Sequence, residues 1–247
     1  RRKRTCPDTD KKIITSWNGL MITALATGYS VLREEKYIKT AKRCAEFIWS
    51  EQWKDGKLYR IYKDGKSSIA GCLEDYAYFC EALITLYETS LQSEWVSKAR
   101  QVADAMIKEF WDKDEGGFFL SGKLREQLVA KLKNPADEAM PSANAIASMA
   151  LLKLGRLTGN KTYIEKSEET VKAFQNFMEQ SPVAFTGLLS TLSASNLSPT
   201  EVIFAGPKED AMFNEIWKVL HTDYRPNKVV VWNENGESNL PLAEGKN

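Results

Sequence analysis

The stretch Leu73–Glu88, LEDYAYFCEALITLYE, decides the fold. Leu73, Tyr76, Ala77, Cys80, Leu83, Ile84 and Tyr87 recur at helical spacing, so the segment reads as a helix. Its apolar residues run nearly all the way round, which predicts burial on several sides. Yet Glu74 and Asp75 open it. Acids in a first turn meet the positive end of the helix dipole. They also have the chemistry to line a site.

Working outward, two more segments have the same character. They are SWNGLMITALATGYSVL (Ser16–Leu32) and PSANAIASMALLKLGRL (Pro141–Leu157). Each of the three is followed by a short link: REEK, TSLQS or TGNK. Behind each link comes an amphipathic helix with a charged outer face: YIKTAKRCAEFIWSEQW, EWVSKARQVADAMIKEFW and TYIEKSEETVKAFQNFME. Short links imply antiparallel helix pairs. The pattern is three successive helical hairpins, with buried inner helices and solvated outer ones. Such hairpins share one continuous core, either as an open solenoid or as a closed ring.

The connections between hairpins repeat as well. WKDGKLYRIY follows Trp53 and WDKDEGGFFLS follows Trp111, each a tryptophan, an acidic glycine turn and an aromatic strand-like segment. These long loops favour a closed (α/α) toroid over a simple solenoid. DKDEGG lacks the distal glutamate of a calcium loop and reads as a turn.

After Pro182 the character shifts. VAFTGLLSTLSAS suggests one more short inner helix. TEVIFAG, KEDAMFNEIWKVL and NKVVVW then read as strand, helix and strand. We therefore expect a mainly α chain, with an incomplete toroid of three to four hairpins over residues 1–199. A small C-terminal β-α-β appendage and a polar, frayed tail fill 200–247.

Lys+Arg number 34 against 33 Asp+Glu, so no global field recruits nucleic acid or an anionic membrane. The run Arg1–Arg4 reads as a solvated end. No apolar run approaches the roughly 20 residues of a membrane span. No signal peptide opens the sequence, and four cysteines without a C-x-x-C pair suit a reducing, cytoplasmic setting. No zinc ligand set, phosphate loop or dinucleotide fingerprint is present in the sequence, so no metal or cofactor is expected. The single histidine, His221, lies in the tail, away from any candidate triad.

In a toroid every inner helix runs the same way, so their N-termini share one mouth. Those starts are polar here. The first offers Trp17 and Asn18, the second Glu74, Asp75 and Tyr76. The third is preceded by Asp137 and Glu138 and begins with Ser142 and Asn144. Aromatic faces pack on sugar rings, amides and hydroxyls bind sugar hydroxyls, and paired carboxylates do acid–base work. On that reading Asp75 and Asp137 are the candidate catalytic pair, and the others bind ligand. Each residue also has a structural reading: acids, Pro141 and Ser142 make a good helix entry.

Four segments carry a family resemblance: RTCPDTDKKIITSWNGLMITALA, CLEDYAYFCEALITLYE, DEAMPSANAIASMALLKLGRLTG and EVIFAG with YRPNKVVVW. In this order they resemble the C-terminal half of the spermatogenesis-associated protein 20 family of thioredoxin-domain fusion proteins. The resemblance covers nearly the whole chain. It implies a toroid of the six-hairpin glycosidase type behind an N-terminal thioredoxin-like domain. Fewer hairpins are present than a closed ring needs, so the chain looks like a fragment. The expected partners are the missing N-terminal toroid hairpins and the thioredoxin-like domain, with a sugar as candidate ligand.

Two toroid relatives sharpen the chemistry. Sugar 2-epimerases depend on mouth histidines that this chain lacks. Glucuronyl hydrolases use aspartates at inner-helix mouths, where Asp75 and Asp137 stand by position. The expected function is a carbohydrate- or partner-binding module with a polar pocket at the inner-helix N-termini. The alternative is a carbohydrate-active enzyme of glycoside-hydrolase type using the paired aspartates.

Overall fold

The structure is a computed structural model that describes residues 9–123, 131–207, 210–222, 227–233 and 240–244. The basic run Arg1–Arg4 lies outside the described residues, as does most of the polar tail. Within that tail, Pro241–Ala243 forms a 3-10 turn that buries Ala243.

Three helical hairpins form as expected: α1 (Thr15–Leu32) with α2 (Glu35–Phe47), α3 (Leu73–Ser90) with α4 (Ser93–Phe110), and α5 (Ala143–Thr158) with α6 (Lys161–Ala173). A short α7 (Gln175–Gln180) leads to α8 (Thr186–Asn196). α1 packs on α3, α3 on α5 and α5 on α8, so these four make the inner row. α2, α4 and α6 lie outside their partners, showing apolar faces inward and charges outward. The mainly α toroid architecture is therefore present.

Small residues set the spacing of the row. A Cβ on Gly19 would lie 2.9 Å from the Tyr78 carbonyl carbon and 3.0 Å from the Phe79 nitrogen. The α1 backbone thus rests directly on the α3 backbone. Gly155 plays the same part within the third hairpin, where a Cβ would meet Ile164 Cγ1 at 2.6 Å.

The two tryptophan loops differ. After Trp53, the strands β2 (Trp53–Lys54), β3 (Lys57–Lys63) and β4 (Lys66–Ala70) join β1 (Ile13–Ile14) in an antiparallel sheet around β3. The sheet is pinned to α1: Thr15 Oγ1 donates to the Tyr59 carbonyl at 2.6 Å and accepts from Gln52 Nε2 at 2.7 Å. After Trp111, one isolated bridge forms among the described residues, Trp111 to Phe118. Gly116 and Gly117 both take positive φ there (75° and 73°). The strand expected over GGFFL is replaced by a loop, for a reason that lies in Asn144 below.

The C-terminal unit is strand, helix and strand: β5 (Thr200–Ala205), α9 (Ala211–Thr222) and β6 (Lys228–Asn233), with β5 and β6 parallel. Phe204, Trp217 and Val229–Val231 join the core of the inner helices. The His221 ring lies 4.5 Å from the Trp217 ring and its Nδ1–H donates to the Trp217 carbonyl at 3.0 Å. Burial pushes the His221 pKa down to about 4.

Two expectations follow. Gly19→Ala should cost about 1–3 kcal/mol through overpacking, although alanine is the better helix former. Gly28→Ala on the same helix meets nothing within 4 Å, so it should stabilise by about 0.5–1 kcal/mol. Denaturant melts of both variants check the sign reversal. The second concerns pH. A histidine whose pKa is lowered on folding favours the folded state above its unfolded value. Stability should fall between about pH 6.5 and about pH 4. A His221→Phe variant followed by thermal melts should lose that part of the pH dependence.

Candidate functional site

The inner helices need partners for the N–H groups at their starts, which no intrahelical carbonyl can reach. At α3 that partner is Asp75, which is fully buried. Its Oδ2 accepts from the Cys72 N–H at 3.0 Å, the reciprocal bond of a capping box. Its Oδ1 accepts from the Ser16 N–H at 3.0 Å, in the first turn of α1. Arg60, from β3, completes the shell with Nη1 at 3.2 Å from Asp75 and 3.3 Å from Glu74. Arg60 Nη1 also lies 2.6 Å from Cys72 Sγ. Burial, reinforced by Asp75, pushes the Cys72 thiol up to about 12, so it is not a thiolate nucleophile.

Asp137 does the same work at the other end of the row. Its Oδ1 accepts from the Ser142 N–H at 2.9 Å. Its Oδ2 accepts from the Gly187 N–H at 2.8 Å and the Thr186 hydroxyl at 3.0 Å, in the first turn of α8. Between the two aspartates, the Tyr78 hydroxyl donates to the Pro141 carbonyl at 2.5 Å, tying α3 to the entry of α5. The starts of all four inner helices are thus linked by side chains. Asp75 and Asp137 each bridge two helices and direct both oxygens at donors.

The other residues singled out in the sequence divide. Ser142 caps α5, accepting from the Ala145 N–H at 3.4 Å and donating to the Asn134 carbonyl at 3.1 Å. Asn144 is fully buried and holds Phe118 by both backbone groups: Oδ1 accepts from its N–H at 2.8 Å, and Nδ2 donates to its carbonyl at 3.0 Å. One side chain thereby replaces the missing partner strand of the second tryptophan loop. Asn18 donates to the Ile14 carbonyl at 2.8 Å and accepts from Cys44 Sγ at 3.3 Å, so it faces α2. Tyr76 is buried against Phe110 of α4, ring centroids 5.1 Å apart, and its oxygen accepts from the Leu58 N–H. Glu138 is exposed and accepts from Asn134 Nδ2 at 3.1 Å. Trp17 stands 60% exposed. Glu74 remains half-open beside Arg60.

One feature is absent from the sequence reading. Ahead of Ser90, the incompletely buried residues of α3 are Glu74, Glu81 and Glu88. They recur every seven residues and so share one side of the helix. Tyr76 points the opposite way, into α4, so the glutamates line the side of the inner row away from the outer layer. Glu74 is paired with Arg60, and Glu88 with Lys153 of α5 at 3.3 Å. The carboxyl of Glu81 lies between them, its pKa raised above the ordinary value chiefly by burial. Tyr78 borders the same region; burial first, then Glu74, Glu81 and Asp137, push its pKa up. Among the described residues, no group of three His, Cys, Asp or Glu could hold a metal ion. No described helix is long and apolar enough to cross a membrane.

With this geometry in hand, the relatives are informative. The chain is 33% identical over 242 residues to spermatogenesis-associated protein 20 of Rattus norvegicus, which covers 94% of this chain and 31% of that protein. The resemblance read from the four segments is thus borne out, and the chain spans about a third of that relative's length. Among solved structures it is similar to a family 76 α-mannanase of Bacteroides thetaiotaomicron, at 16% identity and TM-score 0.54, covering 70% of this chain and 46% of that one. It is also similar to cellobiose 2-epimerase of Spirochaeta thermophila, at 16% identity and TM-score 0.55, covering 68% and 44%. At such identities these two show the fold alone, a toroid of the six-hairpin glycosidase type. A family model, glycosyl hydrolase family 76, matches residues 2–185, and the chain belongs to that family.

Proposed function

We propose that this chain is the carbohydrate-binding toroid module of a longer protein, taking its ligand on the side of the inner row that carries Glu74, Glu81 and Glu88. The observation that carries this reading is the stripe itself. An inner helix buried on every other side keeps three carboxylates at one heptad spacing on its remaining side. The two outer ones are ion-paired. The middle one is biased by burial toward its neutral form, in which it can donate a hydrogen bond as well as accept one. Sugar hydroxyls need both.

In this reading Asp75 and Asp137 position the mouth. Their oxygens already accept hydrogen bonds from helix starts. Of the other residues singled out in the sequence, Glu74 belongs to the stripe, whereas Ser142 caps α5, Asn144 holds Phe118, and Tyr76 and Asn18 face the outer helices α4 and α2, so these four support the mouth from behind. Trp17, Met21 and Val31 are more than half exposed on one side of α1. We propose that toroid hairpins belonging to the rest of the protein cover this side, with a thioredoxin-like domain beyond. The described cysteines are free thiols, in keeping with a cytoplasmic setting.

A second reading is hydrolysis. Burial shifts the Glu81 pKa in the direction a general acid requires. It would protonate the leaving glycosidic oxygen as that C–O bond breaks, while another carboxylate of the mouth takes a proton from the water that adds to the anomeric carbon.

Calorimetric titration with manno- and cello-oligosaccharides tests both. Glu81→Leu should weaken binding about tenfold, the loss of one good hydrogen bond, with an unchanged or higher melting temperature. Equal binding by wild type and Glu81→Leu would remove the stripe from the site. Release of reducing sugar by wild type, lost in Glu81→Gln, would favour the enzyme. Asp75→Asn should lower stability by about 1.5–3 kcal/mol, because its amide N–H₂ would face an N–H donor. The affinity of the folded Asp75→Asn protein should stay near wild type; a specific loss of affinity would make Asp75 a ligand contact.

A further inference from the structure

A cavity of about 220 Å³ lies between the start of α3 and the end of α4. Tyr76, which faces α4, is one of its walls, so it stands on the opposite side of α3 from the glutamate stripe. Tyr59 and Phe110 supply further aromatic surface. Backbone closes the rest. Gly71 and Gly122 bring two loops onto the rings: a Cβ at Gly71 would lie 3.0 Å from Tyr76 Cε2, and one at Gly122 3.0 Å from Phe110 Cε1.

The cavity holds one unexplained group. Glu109 Oε2 is buried and accepts no hydrogen bond. A buried carboxylate oxygen without a donor is costly, and buried charges are ordinarily paired. Lys57 stands exposed at the rim, and no described carboxylate forms an ion pair with it. A carboxylate and an ammonium leave the cavity close to neutral overall. Aromatic walls with one acceptor and one rim donor suit a ring that has apolar C–H faces and hydroxyl edges. The volume is below the roughly 300–1,000 Å³ of pockets for drug-sized ligands, which limits the occupant to about one ring.

We propose that this cavity is a subsite for a single neutral pyranose, with Glu109 accepting from its hydroxyls. It is separate from the α3 stripe and does not depend on it.

The test is an amide NMR titration of the protein with D-mannose and D-glucose into the millimolar range. D-glucosamine and D-glucuronate serve as cationic and anionic comparators. A neutral hexose should shift the amides of Leu58, Gly71 and Gly122. Glu109→Leu should abolish those shifts while keeping or raising the melting temperature, since it removes a buried unpaired oxygen. Glu109→Gln, which keeps the size and one acceptor, should retain binding weakened by up to about tenfold. Glu81→Leu should leave the shifts intact, which separates this site from the stripe. The proposal is overturned if no hexose moves those amides, if only a charged sugar does, or if Glu109→Leu binds like wild type.

Discussion

The fold depends on how four helix starts are satisfied where they crowd together. A row of inner helices running the same way gathers its unpaired N–H groups at one end. Asp75 and Asp137 answer this by bridging: one carboxylate takes donors from α1 and from the start of α3, the other from the entry of α5 and from α8. Tyr78 closes the gap between the pairs. Once the starts are fixed, the close approach at Gly19 sets how α1 and α3 lie against each other. Removing one bridge therefore strains two helices rather than one.

This explains which parts were legible in the sequence. The inner helices stood out because apolar residues on all sides can only mean burial between neighbours. The outer helices stood out by their charged faces. The roles of Asp75 and Asp137 were less legible, since a capping carboxylate and a site carboxylate have the same sequence context at a helix start. What separates them is the direction of two oxygens. Asp75 meets Ser16 and Arg60 from distant parts of the chain, and no local spacing announces either. The GGFFL segment misled for a similar reason. Its composition suits a strand, but Asn144 occupies both backbone groups of Phe118 and makes a partner strand unnecessary.

Glu81 and Glu109 were hidden in opposite ways. Glu81 is one acid within an apolar run, and its spacing with Glu74 and Glu88 gains meaning only once Tyr76 is seen packed on α4. Glu109 sits on a helix read as an outer layer, where an acid is the ordinary solvated residue. In the structure one of its oxygens has left solvent, beside a cavity that Phe110 and Gly122 also line.

The electrostatics of the mouth then constrain what it can hold. Free helix N-termini attract anions. Here the two aspartates already occupy that role, so the positive ends of the inner helices are largely neutralised. Beyond them the open side of α3 presents glutamates, two of them balanced by Arg60 and Lys153. An anionic sugar would meet carboxylates with little positive potential to offset them. A neutral sugar would find oxygens that accept and a frame held rigid by its own bridging bonds. Rigidity matters because weak polar contacts add up only when few groups must be ordered on binding. On the proposed carbohydrate-binding reading, the bridges that build this end of the toroid are also the features that would favour a neutral polyol.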